Sequence, residues 1–166
     1  MEQTGTRRII DITMFWNEDT IVEERVRNTL AYADYLVVAE GNESHSGLFK
    51  RPEAQFPKAL ESVRSRLTGL DLSRVIFVQV DMASSAGKTP AEREKVVRDA
   101  AFAEVLKRGL LRAEDVLVVQ DFDEFLHPSA RDTLLKYFIG WAFWRKVLRL
   151  RYRMTYYKLN LLEAGD

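Results

Sequence analysis

Three carboxylates follow one short hydrophobic segment in the second half of the chain. Residues 116–120 are apolar apart from one glutamine, and Asp121, Asp123 and Glu124 come directly after them. If the chain stays extended, Asp121 and Asp123 lie on one face and Phe122 points the opposite way, into the core. Two converging carboxylates repel each other unless a cation lies between them, and oxygen ligands suit Mg²⁺ or Mn²⁺. We therefore predict a divalent-metal site that bridges the oxygens of a diphosphate.

Two other interpretations of these acids stay open. They can instead cap a helix that begins near Pro128 and otherwise contact only solvent. A hydrophobic strand ending in Asp-x-Asp also opens the haloacid-dehalogenase-type phosphatases, in which the first aspartate is a nucleophile. That motif usually follows the first strand and continues to Thr or Val, whereas here it follows the fourth predicted strand and continues to Glu124 and Phe125. The metal site is therefore favoured over the phosphatase.

The elements that must position these acids alternate along the chain. Four segments rich in β-branched residues are continuously apolar, which predicts strands buried on both faces; they cover 9–15, 35–40, 75–80 and 116–120. Helices are predicted after Asn17, within 53–67 and from Thr89, where Thr89, Pro90 and Glu92 combine three helix-start signals. We therefore predict an α/β fold with a mostly parallel sheet flanked by helices, which places the acids at a carboxyl end of the sheet.

The last quarter of the chain has a different periodicity. From 148 to 156 the even positions are apolar or aromatic, while Arg149, Arg151 and Arg153 occupy odd positions. This period of two predicts an antiparallel strand with one solvated face, near an edge of the sheet. Because no repeat or linker divides the chain, we predict one domain over 9–166. A flexible N-terminus at 1–8 is predicted to precede it.

The composition limits the classes of function. The chain of 166 residues contains no cysteine, which excludes thiolate catalysis and cysteine-ligated zinc. Its 25 Lys and Arg balance its 25 Asp and Glu, which argues against a nucleic-acid binder or a membrane-surface protein. No apolar run is long enough to span a bilayer. We therefore expect a small-molecule substrate, no nucleic acid, no membrane span, and a soluble or cytoplasmic chain.

Several short motifs occur in an order that characterises a known family. They are Asp11 to Glu18, Val37 to Glu40, Ser46-Gly47 with Lys50, Glu94 with Arg98, Asp121-Phe122-Asp123-Glu124, and Tyr156-Tyr157 with Asn160. In this order the chain resembles glycosyltransferase family 17, the family of the β-1,4-mannosyl-glycoprotein N-acetylglucosaminyltransferases that add bisecting GlcNAc. Three positions depart from the family pattern, because Gly41 stands where Ser is usual and Leu48-Phe49 replaces Lys-Pro.

The resemblance implies a GT-A-like, Rossmann-like fold and a metal-dependent, inverting transfer of a sugar. It implies a UDP-sugar donor, carrying GlcNAc, and a glycan acceptor. Asp123 is then expected to be the main ligand of Mn²⁺ or Mg²⁺, and Asp121 to contact the metal or the ribose. Glu124 is expected to take a catalytic part by orienting the site or the acceptor, while the base that deprotonates the acceptor hydroxyl stays unidentified.

Three further residues are expected to contact the donor on the same resemblance. Glu40 closes the second predicted strand and is expected to reach the uracil or ribose, the alternative being a solvated strand end. Arg98 is expected to contact the diphosphate, the alternative being a surface ion pair with Glu94. Lys50 lies in a Gly-containing loop and is expected to approach a phosphate, the alternative being a solvated lysine. Of the two histidines, His127 is the better site candidate than His45, because it follows the acids directly.

Family members continue well beyond the Tyr-Tyr-Asn motif, so we expect this chain to be incomplete at its C-terminus. The missing part is expected to contribute to acceptor binding. A non-catalytic domain that still binds a nucleotide sugar is therefore the alternative to an active enzyme. Full-length Golgi members also carry an N-terminal membrane anchor, so a Golgi location is expected only if an anchor is missing from this chain.

Overall fold

The computed structural model describes residues 7–44, 46–112 and 114–137. In these ranges four strands form one sheet: β1 (Ile9–Met14), β2 (Tyr35–Gly41), β3 (Val75–Val80) and β4 (Val116–Asp121). The α-helices are α1 (Val22–Tyr32), α2 (Phe56–Val63), α3 (Pro90–Lys107) and α4 (Ala130–Tyr137). The predicted α/β class, its four strands and its first three helices are confirmed, whereas the predicted strand at 148–156 and most of the predicted flexible N-terminus lie outside the described residues.

The sheet is parallel, with the strand order β3-β2-β1-β4. The chain moves outward from β1 to β2 and β3, and then returns to place β4 on the other side of β1. The helices α1 and α2 pack on one face of the sheet, and α3 packs on the opposite face against β1, β2 and β3. The order of the strands therefore reverses between β1 and β4, which is where doubly wound sheets open a crevice for ligands.

Burial follows the position of each strand in the sheet. The central strands β1 and β2 are buried along almost their whole length. In β3 and β4 alternate residues reach solvent, and Val119 is 46% exposed. The prediction of strands buried on both faces is therefore right for β1 and β2 and wrong for β3 and β4, because these two are the edges of the described sheet.

The helices α3 and α2 begin at residues that favour the start of a helix. The helix α3 begins with a capping box, in which Thr89 accepts a hydrogen bond from the backbone N–H of Glu92 and Glu92 accepts one from Thr89. The helix α2 begins at Phe56, with Pro57 in its first turn, where the missing N–H of proline costs nothing. A short 3₁₀ turn (Asp19–Ile21) precedes α1. Within the described ranges, none of the helices is both long and apolar enough to cross a membrane.

Candidate functional site

The candidate site lies at the carboxyl ends of β1 and β4, where the strand order reverses. The two strands are paired up to Met14 and Asp121, which are partners in the register. Directly beyond this pair, the rings of Phe15 and Phe122 meet edge to face with their centroids 5.0 Å apart. The aromatic contact fixes the segment after β4 against the end of β1, so the acids that follow β4 lie at this crevice.

The acids form a tight turn, residues 121–124, which we call the acid turn. The backbone N–H of Glu124 donates to the carbonyl oxygen of Asp121 at 3.1 Å, and the Glu124 carboxylate accepts from the backbone N–H of Asp121 at 3.0 Å. The expected extended chain from Asp121 to Asp123 is therefore wrong, because β4 ends at Asp121 and the backbone reverses. The expected position of Phe122 in the core is confirmed, since its ring is almost completely buried.

The turn also explains what Glu124 does in the fold. Its carboxylate caps the acid turn itself, and α4 begins only at Ala130. Asp121 and Asp123 lie on the solvent side of the turn with exposed side chains. The two aspartates are thus the groups of the acid turn that a ligand can reach, while Glu124 holds the turn closed.

The electrostatic field at the acid turn is negative. Partial burial raises the pKa of Asp121, and the negative charges of Glu124, Glu94 and Asp123 raise it further, while Arg98 acts in the opposite direction. Uncompensated negative charge of this kind is what a bound cation offsets.

The donor set allows a test of whether a divalent ion fits. Across the part of the chain that the structure describes, no group of three or more acidic or histidine side chains is gathered as a metal site. Two exposed carboxylate side chains nevertheless suit Mg²⁺ or Mn²⁺, because these ions are held by one or two carboxylates together with substrate phosphates and water. Among the described residues, the acid turn could therefore contribute two carboxylates to a metal site that a diphosphate completes.

Arg98 brings a positive charge to the acid turn from α3. Its Nη2 lies 2.6 Å from Oε1 of Glu94, one helical turn earlier, and 4.0 Å from Oδ1 of Asp121. The ion pair with Glu94, the alternative to a diphosphate contact, is present, and the same guanidinium also faces the acid turn. Because the Arg98 side chain is 41% exposed, a ligand at the acid turn can reach it.

Glu40 is buried near the end of β2, whereas Lys50 is exposed in the loop that follows this strand. The Glu40 side chain is buried, and its carboxylate accepts hydrogen bonds from the backbone N–H groups of Gln55 and Phe56 at the start of α2. Burial raises the pKa of Glu40. The alternative of a solvated strand end is therefore wrong, and the predicted donor contact stays a prediction. Lys50 is exposed, with Nζ 3.3 Å from Oε1 of Glu43.

The histidines add little to the described site. His127 is exposed, and its Nδ1 lies 2.8 Å from Oγ of Ser129 just before α4. This contact ties the ring to its own loop. His45 lies outside the described residues.

Two residues at the end of β1 were not predicted from the sequence. The guanidinium carbon of Arg51 lies 4.1 Å above the centre of the Trp16 ring, and Arg51 also donates to the Trp16 carbonyl oxygen. The Glu18 carboxylate accepts from the backbone N–H groups of Trp16 and Asn17, which fixes the loop that carries the ring. The position of Trp16 directly after a predicted strand was the available signal, whereas nothing in the sequence marks Arg51.

A buried ion pair beneath the acid turn was also not predicted from the sequence. Arg25 on α1 and Asp11 on β1 are both fully buried, with Arg25 Nη2 2.9 Å from Oδ1 of Asp11. The sequence carried a signal for it, because position 25 lies on the helical stripe that contains Val22 and Thr29. An arginine on a buried stripe, together with an aspartate inside a buried strand, indicates an internal ion pair.

Comparison with known proteins gives one match. The family model for glycosyltransferase family 17 matches residues 1–160 of the chain. No curated protein and no solved structure matches it.

Proposed function

Because the chain belongs to glycosyltransferase family 17, whose general activity is glycosyl transfer, we propose that it transfers a sugar from a UDP-sugar donor to a glycan acceptor. The proposed sugar is GlcNAc, the transfer is metal-dependent and inverts the anomeric centre, and the sheet is the core of a GT-A-like fold. In the transfer, the bond between the sugar and the diphosphate breaks with its electron pair going to the phosphate oxygen. The acceptor hydroxyl oxygen forms the new bond to the sugar, and its proton passes to a general base that is not yet assigned.

One observation carries this proposal more than any other. The acid turn stands at the carboxyl end of β4, beside the end of β1, where the strand order reverses. Parallel α/β sheets bind nucleotides and other ligands at this point. A site for a nucleoside diphosphate is therefore supported by topology as well as by the acids themselves.

Asp121 and Asp123 are the residues that would hold the divalent ion. When bound, Mn²⁺ or Mg²⁺ supplies positive charge for the diphosphate oxygens that become the leaving group. The exposed carboxylates support this assignment because a ligand can reach them, and the acidic neighbours that help burial to raise the pKa of Asp121 make the turn attractive to a cation.

Two of the remaining residues are proposed to contact the ligand through their positive charge, and one is proposed to position the acid turn. Arg98 is proposed to contact the diphosphate, since its guanidinium already faces the acid turn. Lys50 is proposed to approach a phosphate from the loop after β2. Glu124 is proposed to orient the site, because its carboxylate closes the acid turn from which the aspartates project.

A thermal-shift panel followed by a donor-hydrolysis assay tests this function. The ligands are UDP, UDP-GlcNAc, GDP-mannose and a phosphomonoester, each with and without Mn²⁺. We expect stabilisation by UDP and UDP-GlcNAc that depends on Mn²⁺, and release of UDP from the donor. Stabilisation without turnover would instead identify a nucleotide-sugar-binding domain. Release of phosphate from the phosphomonoester would identify a phosphatase, and no response to any nucleotide would reject the proposal.

A further inference from the structure

The ion pair between Asp11 and Arg25 lies directly beneath the acid turn. Arg25 donates from Nη1 to the backbone carbonyl oxygen of Glu124. Its guanidinium carbon also lies 5.8 Å from the centre of the Phe122 ring and 5.9 Å from that of Phe125. A single buried cation therefore contacts Phe122 and Glu124 within the acid turn and Phe125 directly after it.

Asp11 extends the same network to the other side of the acid turn. Its Oδ2 accepts hydrogen bonds from the Tyr32 hydroxyl and from Nε2 of Gln120, the latter at 2.6 Å. Gln120 is the residue immediately before Asp121, and its side chain also donates to the Tyr32 hydroxyl at 2.7 Å. The network thus holds the last residue before the acid turn and, through Arg25, the last residue within it.

Stability alone is a weak reason for such a pair. Two charges that leave water lose much of their hydration, and well-packed apolar residues of similar volume often give an equally stable core. A buried, hydrogen-bonded pair does fix geometry, because its polar atoms have few alternative partners in the core; Arg25 uses Nη1 and Nη2 for Glu124 and Asp11. The contacts of this pair converge on the acid turn, which indicates that the pair contributes by fixing the conformation of that turn.

We propose that Asp11 and Arg25 are positioning residues that set the conformation of the acid turn, and through it the spacing of the two carboxylates that receive a metal-bound diphosphate. The part of this role that concerns the ligand rests on the proposed function. It predicts that removing the pair impairs Mn²⁺-dependent UDP binding even when the fold stays intact.

The central variant is the double substitution Asp11→Asn with Arg25→Met. It removes both charges together, so neither is left buried without its partner, and the introduced asparagine keeps an oxygen for Tyr32 and Gln120. Arg25→Lys tests whether charge without the planar guanidinium suffices. Val105→Ala, on α3, is the matched control, because Val105 is fully buried in the cluster on the opposite face of the sheet, which contains no residue of the acid turn.

Two measurements are made on each variant. Calorimetry gives the ratio of UDP affinities with and without Mn²⁺, and hydrogen exchange gives the protection of the amide N–H groups at 122–126 relative to β1 and β2. We expect the double variant to lower the Mn²⁺-dependent affinity at least tenfold and to raise exchange selectively at 122–126. The affinity ratio of Arg25→Lys should fall between those of the double variant and the wild type, and Val105→Ala should keep the wild-type ratio.

The outcomes separate this proposal from the proposed function. A wild-type affinity ratio and wild-type protection in the folded double variant would overturn the positioning role. So would an equal effect of Val105→Ala at a similar loss of melting temperature. If the wild type itself shows no Mn²⁺-dependent UDP binding, the proposed function fails, and the hydrogen-exchange comparison alone then decides whether the pair holds the turn. If the double variant does not fold, Arg25→Lys decides by the same two measurements.

Discussion

The guanidinium of Arg98 lies 4.0 Å from the carboxylate of Asp121, across the gap between α3 and the end of β4. The capping box at Thr89 fixes where α3 begins, and therefore how far along the helix Arg98 stands from the edge of the sheet. The pair brings one positive and one negative group to the same crevice. A bound diphosphate with its metal ion would need both.

Arg98→Gln should weaken Mn²⁺-dependent UDP binding severalfold while leaving the fold intact. The exposed ion pair with Glu94 contributes only about 0.3–0.5 kcal/mol to stability. Arg108→Gln is the matched control, because Arg108, directly after the end of α3, is 46% exposed and pairs with Glu104 at the same four-residue spacing, away from the acid turn. Calorimetry on both variants measures the effect. Equal affinities for the two variants would remove Arg98 from the site.

On acidification, Mn²⁺ binding should be lost at a higher pH than it would be if Asp121 had the pKa of an ordinary aspartate. Metal ligands must be deprotonated, and the pKa of Asp121 is raised by burial and by its acidic neighbours. Glu94→Gln removes one negative charge and frees Arg98 for Asp121, so it should move the midpoint of this loss to lower pH. Titrations of Mn²⁺ in the presence of UDP, from neutral pH downward, measure that midpoint. A midpoint that does not move, or that moves upward, contradicts the assignment.

Asp121→Asn should not destabilise the protein in the absence of metal. The pKa of Asp121 is higher in the folded than in the unfolded state, so the stability linked to this group is present at low pH and is lost as the pH rises through the folded value. Asparagine removes that loss at neutral pH. The gain is at most about 0.5 kcal/mol, because solvent screens a side chain that is 60% exposed. Denaturant unfolding measures it, and a clear loss of stability would contradict it.

Glu40→Ala should lower the free energy of unfolding by about 1–2 kcal/mol, because two backbone N–H groups at the start of α2 lose their acceptor. The control is Glu53→Ala, which removes an exposed carboxylate from the loop that precedes the same helix. Chemical denaturation of both variants gives the comparison. Glu40→Gln adds a second test, since a variant that stays stable but loses UDP affinity would support the donor contact predicted from the sequence.

Gly47→Ala should destabilise the protein more than Gly69→Ala does. Both glycines have a left-handed backbone, with φ of +73° and +83°, where alanine costs about 1–2 kcal/mol. A Cβ at position 47 would also come 3.3 Å from Cζ of Arg93, whereas a Cβ at position 69 meets nothing within 4 Å. The difference in melting temperature between the two variants therefore reports how closely the loop after β2 packs on Arg93. Equal melting temperatures would show that this packing adds nothing.

The strands and the position of the acids could be predicted from the sequence, because short apolar segments rich in β-branched residues, such as 116–120, have few alternatives to a strand. The shape of the acid turn could not. Asp-Phe-Asp-Glu contains neither Gly nor Pro, and the reversal at Phe122 depends on the distant ring of Phe15. The capping role of Glu40 was equally hidden, since its partners lie 15 and 16 residues further along the chain.

The most direct test of the proposed metal–diphosphate site is calorimetric titration of UDP, with and without Mn²⁺, into the wild type and three variants. The variants are Asp121→Asn, Asp123→Asn and the control Asp99→Asn, whose carboxylate is 62% exposed on α3 and pairs with Lys95. We predict that Mn²⁺ strengthens UDP binding to the wild type and to Asp99→Asn, and that each acid-turn variant loses at least about 1.4 kcal/mol of it, a factor of ten. Undiminished Mn²⁺-dependent affinity in Asp121→Asn and Asp123→Asn would contradict the account.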